Sequence, residues 1–191
     1  MAQTAPRDRL QPSLLDRLTD TDPGTQVEAR EQRVLNAHAL RQAVLRDLRW
    51  LFNAVRPEAP YWLLNDQGAH LDNAEEEQRL GRFQDWDALP LTRNSVLCFG
   101  LPCLSGLTAS TLDIPRLEAT IRRAIIDFEP RIIAGSLSVE AEFSEDVLHH
   151  HNLVAMRITA QLWAQPVPLE LVLRTELDLE SGQVQVQELN R

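Results

Sequence analysis

The hydrophobic period of this chain changes once, at Glu129-Pro130-Arg131, and that change constrains its architecture more than any other feature. Before it, Leu117, Ile121, Ala124, Ile125 and Phe128 recur at helical spacing, while Glu118, Arg122, Arg123 and Asp127 take the other side. Asp113 reads as the cap of this helix, and Pro115 sits in its first turn, where a missing N–H costs little. Pro130 cannot donate a helical hydrogen bond and disfavours helical geometry at Glu129, so the helix is expected to stop near Phe128.

After the triplet the period is two. Leu137, Val139, Ala141 and Phe143 alternate with polar residues, as do Val154, Met156, Ile158, Ala160 and Leu162. The same holds for Leu169, Leu171, Leu173, Thr175, Leu177 and Leu179; Ser181 and Gly182 then mark a turn before a short last strand, Val184 to Leu189. These are half-buried antiparallel strands. Helices first and a contiguous meander after predict an α+β fold, with N-terminal and central helices packed on one face of a C-terminal antiparallel β-sheet meander.

The N-terminal half divides by composition. Residues 1–24 read as a flexible arm with one short helix, SLLDRL at Ser13 to Leu18, which sets Leu14, Leu15 and Leu18 on one side and is too short to be stable alone. It is either a frayed helix packed on its own domain or a docking peptide whose leucines enter a neighbour's groove. Residues 25–191 read as a single domain. A long helix is expected from about Gln26 to Val55, with Leu40, Val44, Leu48, Leu51, Phe52 and Val55 as its stripe and Pro57 closing it. Arg41 and Arg49, off that stripe, read as solvated.

An acidic insertion occupies about 58–90, with eight acids, Glu75, Glu76 and Glu77 among them, against Arg79 and Arg82. Apolar residues stand at both its ends, Tyr61 to Leu64 and Phe83 with Trp86, and one short helix is expected around Ala74 to Phe83. Ser95 to Gly106 is dense in glycine and proline and is expected to follow an irregular path under the central helix. Its GLPCLSG lacks the glycine spacing and the lysine of a phosphate loop.

Charge and cysteine content narrow the function. A net charge of −9, from 28 acids against 19 basic residues, argues against nucleic acid or an anionic membrane as the main partner. All the basic residues are arginine, whose planar fork pairs carboxylates bidentately and suits protein interfaces. No run approaches the ~18 apolar residues of a membrane span, and the N-terminus has no apolar signal region, so a cytoplasmic protein is expected. Cys98 and Cys103 match neither a zinc site nor a redox pair and are expected to be free thiols. His149, His150 and His151 fall at a hairpin tip, where consecutive side chains diverge, so they read as a loop. No metal or cofactor is expected.

Five segments in register resemble one family: PSLLDRL at Pro12 to Leu18, AVLRDLRWLFNA at Ala43 to Ala54, SVLCFGLPCLSG at Ser95 to Gly106, IRRAIIDFEPRI at Ile121 to Ile132, and TELDLESGQV at Thr175 to Val184. The chain is similar to the TssE family, the small baseplate subunits of bacterial type VI secretion systems, related to a phage-tail wedge protein once labelled a lysozyme. It departs from the family at Cys98, Phe99 and Cys103, where the usual pattern is close to LNYGLPDLSG, and in its acidic insertion.

The resemblance implies a structural part of a contractile injection machine, in a baseplate assembled at the inner membrane and able to initiate sheath polymerisation. The implied partners are the wedge subunits TssF, TssG and TssK and the sheath proteins TssB and TssC. Glu129, Pro130 and Arg131 match the family's Glu-Pro-Arg signature and are assigned to anchoring, either within this fold or across an interface. Arg46 and Asp47 also match the family pattern and are expected to pair structurally, with the acids after their helix as candidate partners. Leu14 and Leu15 are candidate docking residues, and Val184 and Val186 mark a candidate open edge for sheath strands.

The alternative is a peptidoglycan-cleaving, lysozyme-like hydrolase. Such chemistry needs two carboxyl groups flanking a cleft, one of them kept protonated by an apolar surround. Glu129, the one acid with a distinctive setting, has a guanidinium two residues away instead. No catalysis is therefore expected.

Overall fold

The structure, a computed structural model, describes residues 13–18, 24, 36–56, 91, 95–108, 112–142, 152–164 and 167–189. Among these residues three α-helices, α1 (Leu14–Leu18), α2 (Ala37–Asn53) and α3 (Ile114–Phe128), precede four strands, β1 (Ser138–Glu142), β2 (Leu153–Leu162), β3 (Leu169–Asp178) and β4 (Val184–Glu188). The strands form one antiparallel meander in the order β1-β2-β3-β4, so β1 and β4 are its edges. This is the α+β arrangement that the change of period predicts.

One face of the sheet is apolar because the alternation puts Val139, Met156, Ile158, Leu171, Leu173, Leu177, Val184 and Val186 on it, all buried. Leu40, Val44, Leu48, Leu51 and Phe52 of α2 and Leu117, Ile121, Ala124 and Ile125 of α3 complete the core. Each such leucine or isoleucine contributes roughly 1.5–3 kcal/mol by leaving water. α2 lies along β4 and α3 along β1. The opposite face is polar. Arg157 and Arg174 stand directly across from each other on β2 and β3, and Glu142 holds both, at 2.6 Å and 3.7 Å.

α2 is shorter than the predicted helix. Asn36 is extended and its side chain accepts the Ala39 N–H at 2.7 Å, which fixes the start at Ala37 rather than near Gln26. At the other end Val55 leaves the helix and is 65% exposed, so it is not part of the apolar stripe. The chain there is tied to the glycine-rich loop: Leu101 donates to the Ala54 carbonyl and Arg56 donates to that of Leu101. Gly100 makes this crossing possible. Its φ is +119°, and a Cβ on it would come within 2.3 Å of the Ala54 oxygen. The loop reaches the end of α3 through an edge-on contact of Phe99 with Phe128 and the β3–β4 turn through the Gly106 N–H to Leu179. It therefore joins three elements instead of lying under the central helix alone.

α3 starts and stops where its sequence says. The Asp113 carboxylate accepts the Arg116 N–H at 3.1 Å, Pro115 sits in the first turn, and Phe128 is the last residue. Cys98 is buried and Cys103 partly buried, and neither is in a disulfide. The acidic insertion with its expected helix at 74–83, Phe143 and the three histidines lie outside the described residues.

Candidate functional site

The bend after α3 brings two carboxylates and two guanidinium groups together. Glu129 caps the helix, its N–H donating to the Ile125 carbonyl, and Pro130 then turns the chain so that Arg131 folds back over the Glu129 carboxylate. Arg131 donates to Glu129 three times, from its main-chain N–H at 3.2 Å, from Nε at 2.6 Å and from Nη2. Glu129 is only 3% exposed, so its charge is compensated almost wholly by this one residue. The main chain of Arg131 is pinned as well: its carbonyl accepts the Trp163 N–H at 2.8 Å, and Ile133 donates to Gln161. The triplet thereby fastens the end of α3 to the end of β2.

A second carboxylate brings in α2. Asp47 accepts from Arg131 Nη2 on one oxygen and from Arg46 Nε, at 2.9 Å, on the other. Arg46 then reaches Asp16 of α1 at 2.6 Å and covers the Trp50 ring at 5.4 Å. Asp16 is held in turn by the Ser13 hydroxyl at 2.6 Å, which starts α1. The chain Glu129–Arg131–Asp47–Arg46–Asp16 thus links all three helices to the sheet. Among the described residues Arg46 pairs with Asp47 and with Asp16 before the helix, while the acids of 58–90 offered as partners by the sequence lie outside the described residues.

Electrostatics reinforce the arrangement. Burial alone would lower the affinity of the Arg131 guanidinium for its proton, but the Glu129 and Asp47 carboxylates outweigh it and hold the group charged far above the ordinary arginine value. Arg46 shifts upward for the same reason, with desolvation outweighed by Asp47 and Asp16. Burial would raise the Asp16 carboxyl, yet the Ser13 hydroxyl and Arg46 together hold it below the usual carboxylate range. Arg46 Nη2 and Arg131 Nη1 are buried without an acceptor among the described residues, so within these the network has more donors than it satisfies.

The arm ends this network at the surface. Leu14 and Leu18 are 72% and 74% exposed, one turn apart on α1, and Leu15 is 39% exposed. These leucines take no part in the core, whereas Asp16 on the same turn is fixed to Arg46.

Both sheet edges are engaged by helix side chains. Alternation turns the main-chain groups of Val184, Val186 and Glu188 outward from β4. Asn53, the last residue of α2, donates to the Val184 carbonyl at 2.9 Å and accepts its N–H at 3.0 Å. Arg49 donates to the Val186 carbonyl at 3.3 Å, and Arg41 reaches the Glu170 carbonyl at 3.0 Å. Arg41 and Arg49 are therefore not simply solvated; sequence separations of 129 and 137 residues hid these contacts. On the β1 side, Glu118 accepts the Ala141 N–H at 2.7 Å and Arg122 donates to the carbonyl of Leu137, the residue before β1, at 3.3 Å. The side chains of Val184 and Val186 are 6% and 4% exposed and face α2. They belong to the core, so any strand addition here involves their main chain, not their side chains.

Residues 38–167 match the family of baseplate wedge protein gp25, more than half of the chain. The chain belongs to the gp25 baseplate wedge family. This is the family that includes TssE, as the five sequence segments indicate, and the Glu-Pro-Arg junction falls within the matched region. No curated protein and no solved structure matches the chain. The wedge family is a structural one, whose members join other baseplate components. No described helix is long and apolar enough to cross a membrane, and no group of acids, histidines or cysteines among the described residues suits a metal ion. Sequence reasoning missed Asp16, Asn53 and Arg49. Asp16 lies inside the SLLDRL segment already singled out, but nothing local ties it to Arg46, 30 residues on.

Proposed function

We propose that this chain is the TssE-type wedge subunit of a type VI secretion baseplate, assembled on the cytoplasmic side of the inner membrane with TssF, TssG and TssK and helping to start the TssB/TssC sheath. The observation that carries the reading is the wedge-family match over 38–167, with the Glu129-Pro130-Arg131 signature built into an intact charged junction. The protein acts by shape. The junction sets the angle between α3, α2 and the sheet, and the surfaces left over meet the partners.

Two surfaces support that role. The leucines of α1, held out by the Asp16–Arg46 pair, suit an apolar groove on a wedge subunit. The β4 edge suits an incoming sheath strand, which would bond to the outward main chain of Val184, Val186 and Glu188. Proline or charge at Val186 would damage the core as well as the edge, because that side chain is buried. Glu188→Pro is the cleaner probe, since its N–H faces away from β3.

Hydrolysis has little support. Both oxygens of the Glu129 carboxylate are taken by Arg131, and the group is almost fully covered, so it has no room to meet a glycosidic oxygen. Peptidoglycan release by the wild type above a Glu129→Gln control would reverse this reading.

Co-expression with TssF, TssG and TssK tests the main proposal. The wild type is expected to co-purify with the wedge, and a Leu14→Ser/Leu18→Ser variant to remain folded but to be lost from it. Failure of the wild type itself to associate would remove the proposal.

A further inference from the structure

The two sheet edges are engaged differently, and the difference points to a regulatory contact. Along β1 and the residue before it, separate side chains take single groups on separate residues, Glu118 at Ala141 and Arg122 at Leu137. On β4 one carboxamide takes both main-chain groups of one residue. Asn53 Oδ1 accepts the Val184 N–H and Nδ2 donates to the Val184 carbonyl. A peptide group carries the same donor and acceptor, and in an antiparallel ladder a hydrogen-bonded residue pair exchanges these same two bonds. The second hydrogen of Nδ2 goes to the Arg49 carbonyl at 2.8 Å, so α2 itself aims the carboxamide. Asn53 is nonetheless exposed, which lets another strand compete for its place.

We propose that Asn53 is an internal plug of the β4 edge, standing in for one residue of a partner strand and keeping the free subunit from pairing before assembly. This rests on the reading that β4 takes a strand from the sheath. Arg49 assists by occupying the Val186 carbonyl, and what stays outward is the Val186 N–H and the main chain of Glu188. An incoming strand then begins at the Glu188 end and displaces Asn53 last. The plug is neutral, so displacing it strands no charge.

The test uses a second copy of this chain as the probe strand. Purified wild type, Asn53→Ala, and Asn53→Ala with Arg49→Ala are compared by sedimentation and by hydrogen exchange resolved at Val184. The expected result is a Val184 amide that exchanges about tenfold or more faster without Asn53 at dilutions where the variant is monomeric, together with dimers that form, and protect that amide again, as the concentration rises to a level at which the wild type stays monomeric. Adding Glu188→Pro should return those variants to monomers, because it removes an outward donor that the paired edge needs. Asn53→Asp is the isosteric second variant; it keeps the acceptor for Val184 but loses both donated bonds, and it should dimerise to an intermediate degree, so the test survives if the alanine variant fails to fold. Unplugged variants that stay monomeric, or dimers indifferent to Glu188→Pro, would overturn the plug. Normal sheath growth with Glu188→Pro alone would instead remove the strand-addition reading, while a Glu188→Pro-sensitive Asn53→Ala dimer would still establish the plug.

Discussion

The Glu-Pro-Arg junction and the β4 edge both tie α2 to another element, but by opposite means. At the junction Asp47 of α2 is bound to a guanidinium whose other partner is a carboxylate 3% exposed. At the edge Asn53 of α2 is bound through neutral groups at the surface. Removing one member of a buried ion pair leaves the other uncompensated and costs about 3–5 kcal/mol, whereas an exposed neutral hydrogen bond is worth roughly 1 kcal/mol because water replaces it. The first kind of contact holds a shape. The second can be exchanged for a partner.

Breaking the junction should therefore have the largest effect. Arg131→Ala leaves Glu129 buried without its cation and is expected to destabilise the isolated chain by about 3 kcal/mol or more, a fall of roughly 6–12 °C in Tm. An unchanged Tm in calorimetry would place Arg131's role outside the fold. Asp47→Asn should cost less, about 1–2 kcal/mol by denaturant titration, because Glu129 still holds Arg131. A loss equal to that of Arg131→Ala would mean that Asp47, not Glu129, is the main anchor.

The arm should respond to acid. The folded Asp16 carboxyl titrates below its unfolded value, so its contribution is present above about pH 4 and is lost as pH falls through the lower folded value. Its partner Arg46 stays charged throughout. The protection of the 13–18 amides, taken relative to the intrinsic exchange rate at each pH, should fall below that window, and Asp16→Asn should show the lower protection already at pH 7, with at most about 1 kcal/mol of global effect for this partly buried pair near the surface. Protection that does not change with pH would separate α1's position from the Asp16–Arg46 pair. The smallest stability change is expected for Leu14→Ser/Leu18→Ser, within about 0.5 kcal/mol, since both side chains are already in water. A large loss of stability would show that they pack within the chain.

How much of this was legible follows from the range of each interaction. The strands and α3 were readable because period, cap and proline act within a few residues, and the register they predict buries the intended faces. The Glu129–Arg131 pair was visible as a signature, two residues apart, although its intramolecular geometry was not. The start of α2 was missed at Asn36, a capping residue set among helix-favouring neighbours on both sides. Asp47 meets Arg131 across 84 residues, and Asn53 meets Val184 across 131. Such pairs depend on how the layers stack, and a local pattern carries no trace of them. Arg41 and Arg49 teach the same lesson: off the apolar stripe, a long arginine still bends over the sheet and donates to a strand carbonyl, of β3 for Arg41 and of β4 for Arg49.

The most direct measurement of the central claim is a double-mutant cycle on the isolated chain, comparing the unfolding free energies of Glu129→Ala, Arg131→Ala and the double variant. If the junction is an internal staple, the double variant loses clearly less than the two single losses added together, with a coupling of at least about 1.5 kcal/mol. Losses that simply add, with a coupling near zero, would contradict it, and no loss in either single variant would make Glu129 and Arg131 residues that act only on a partner.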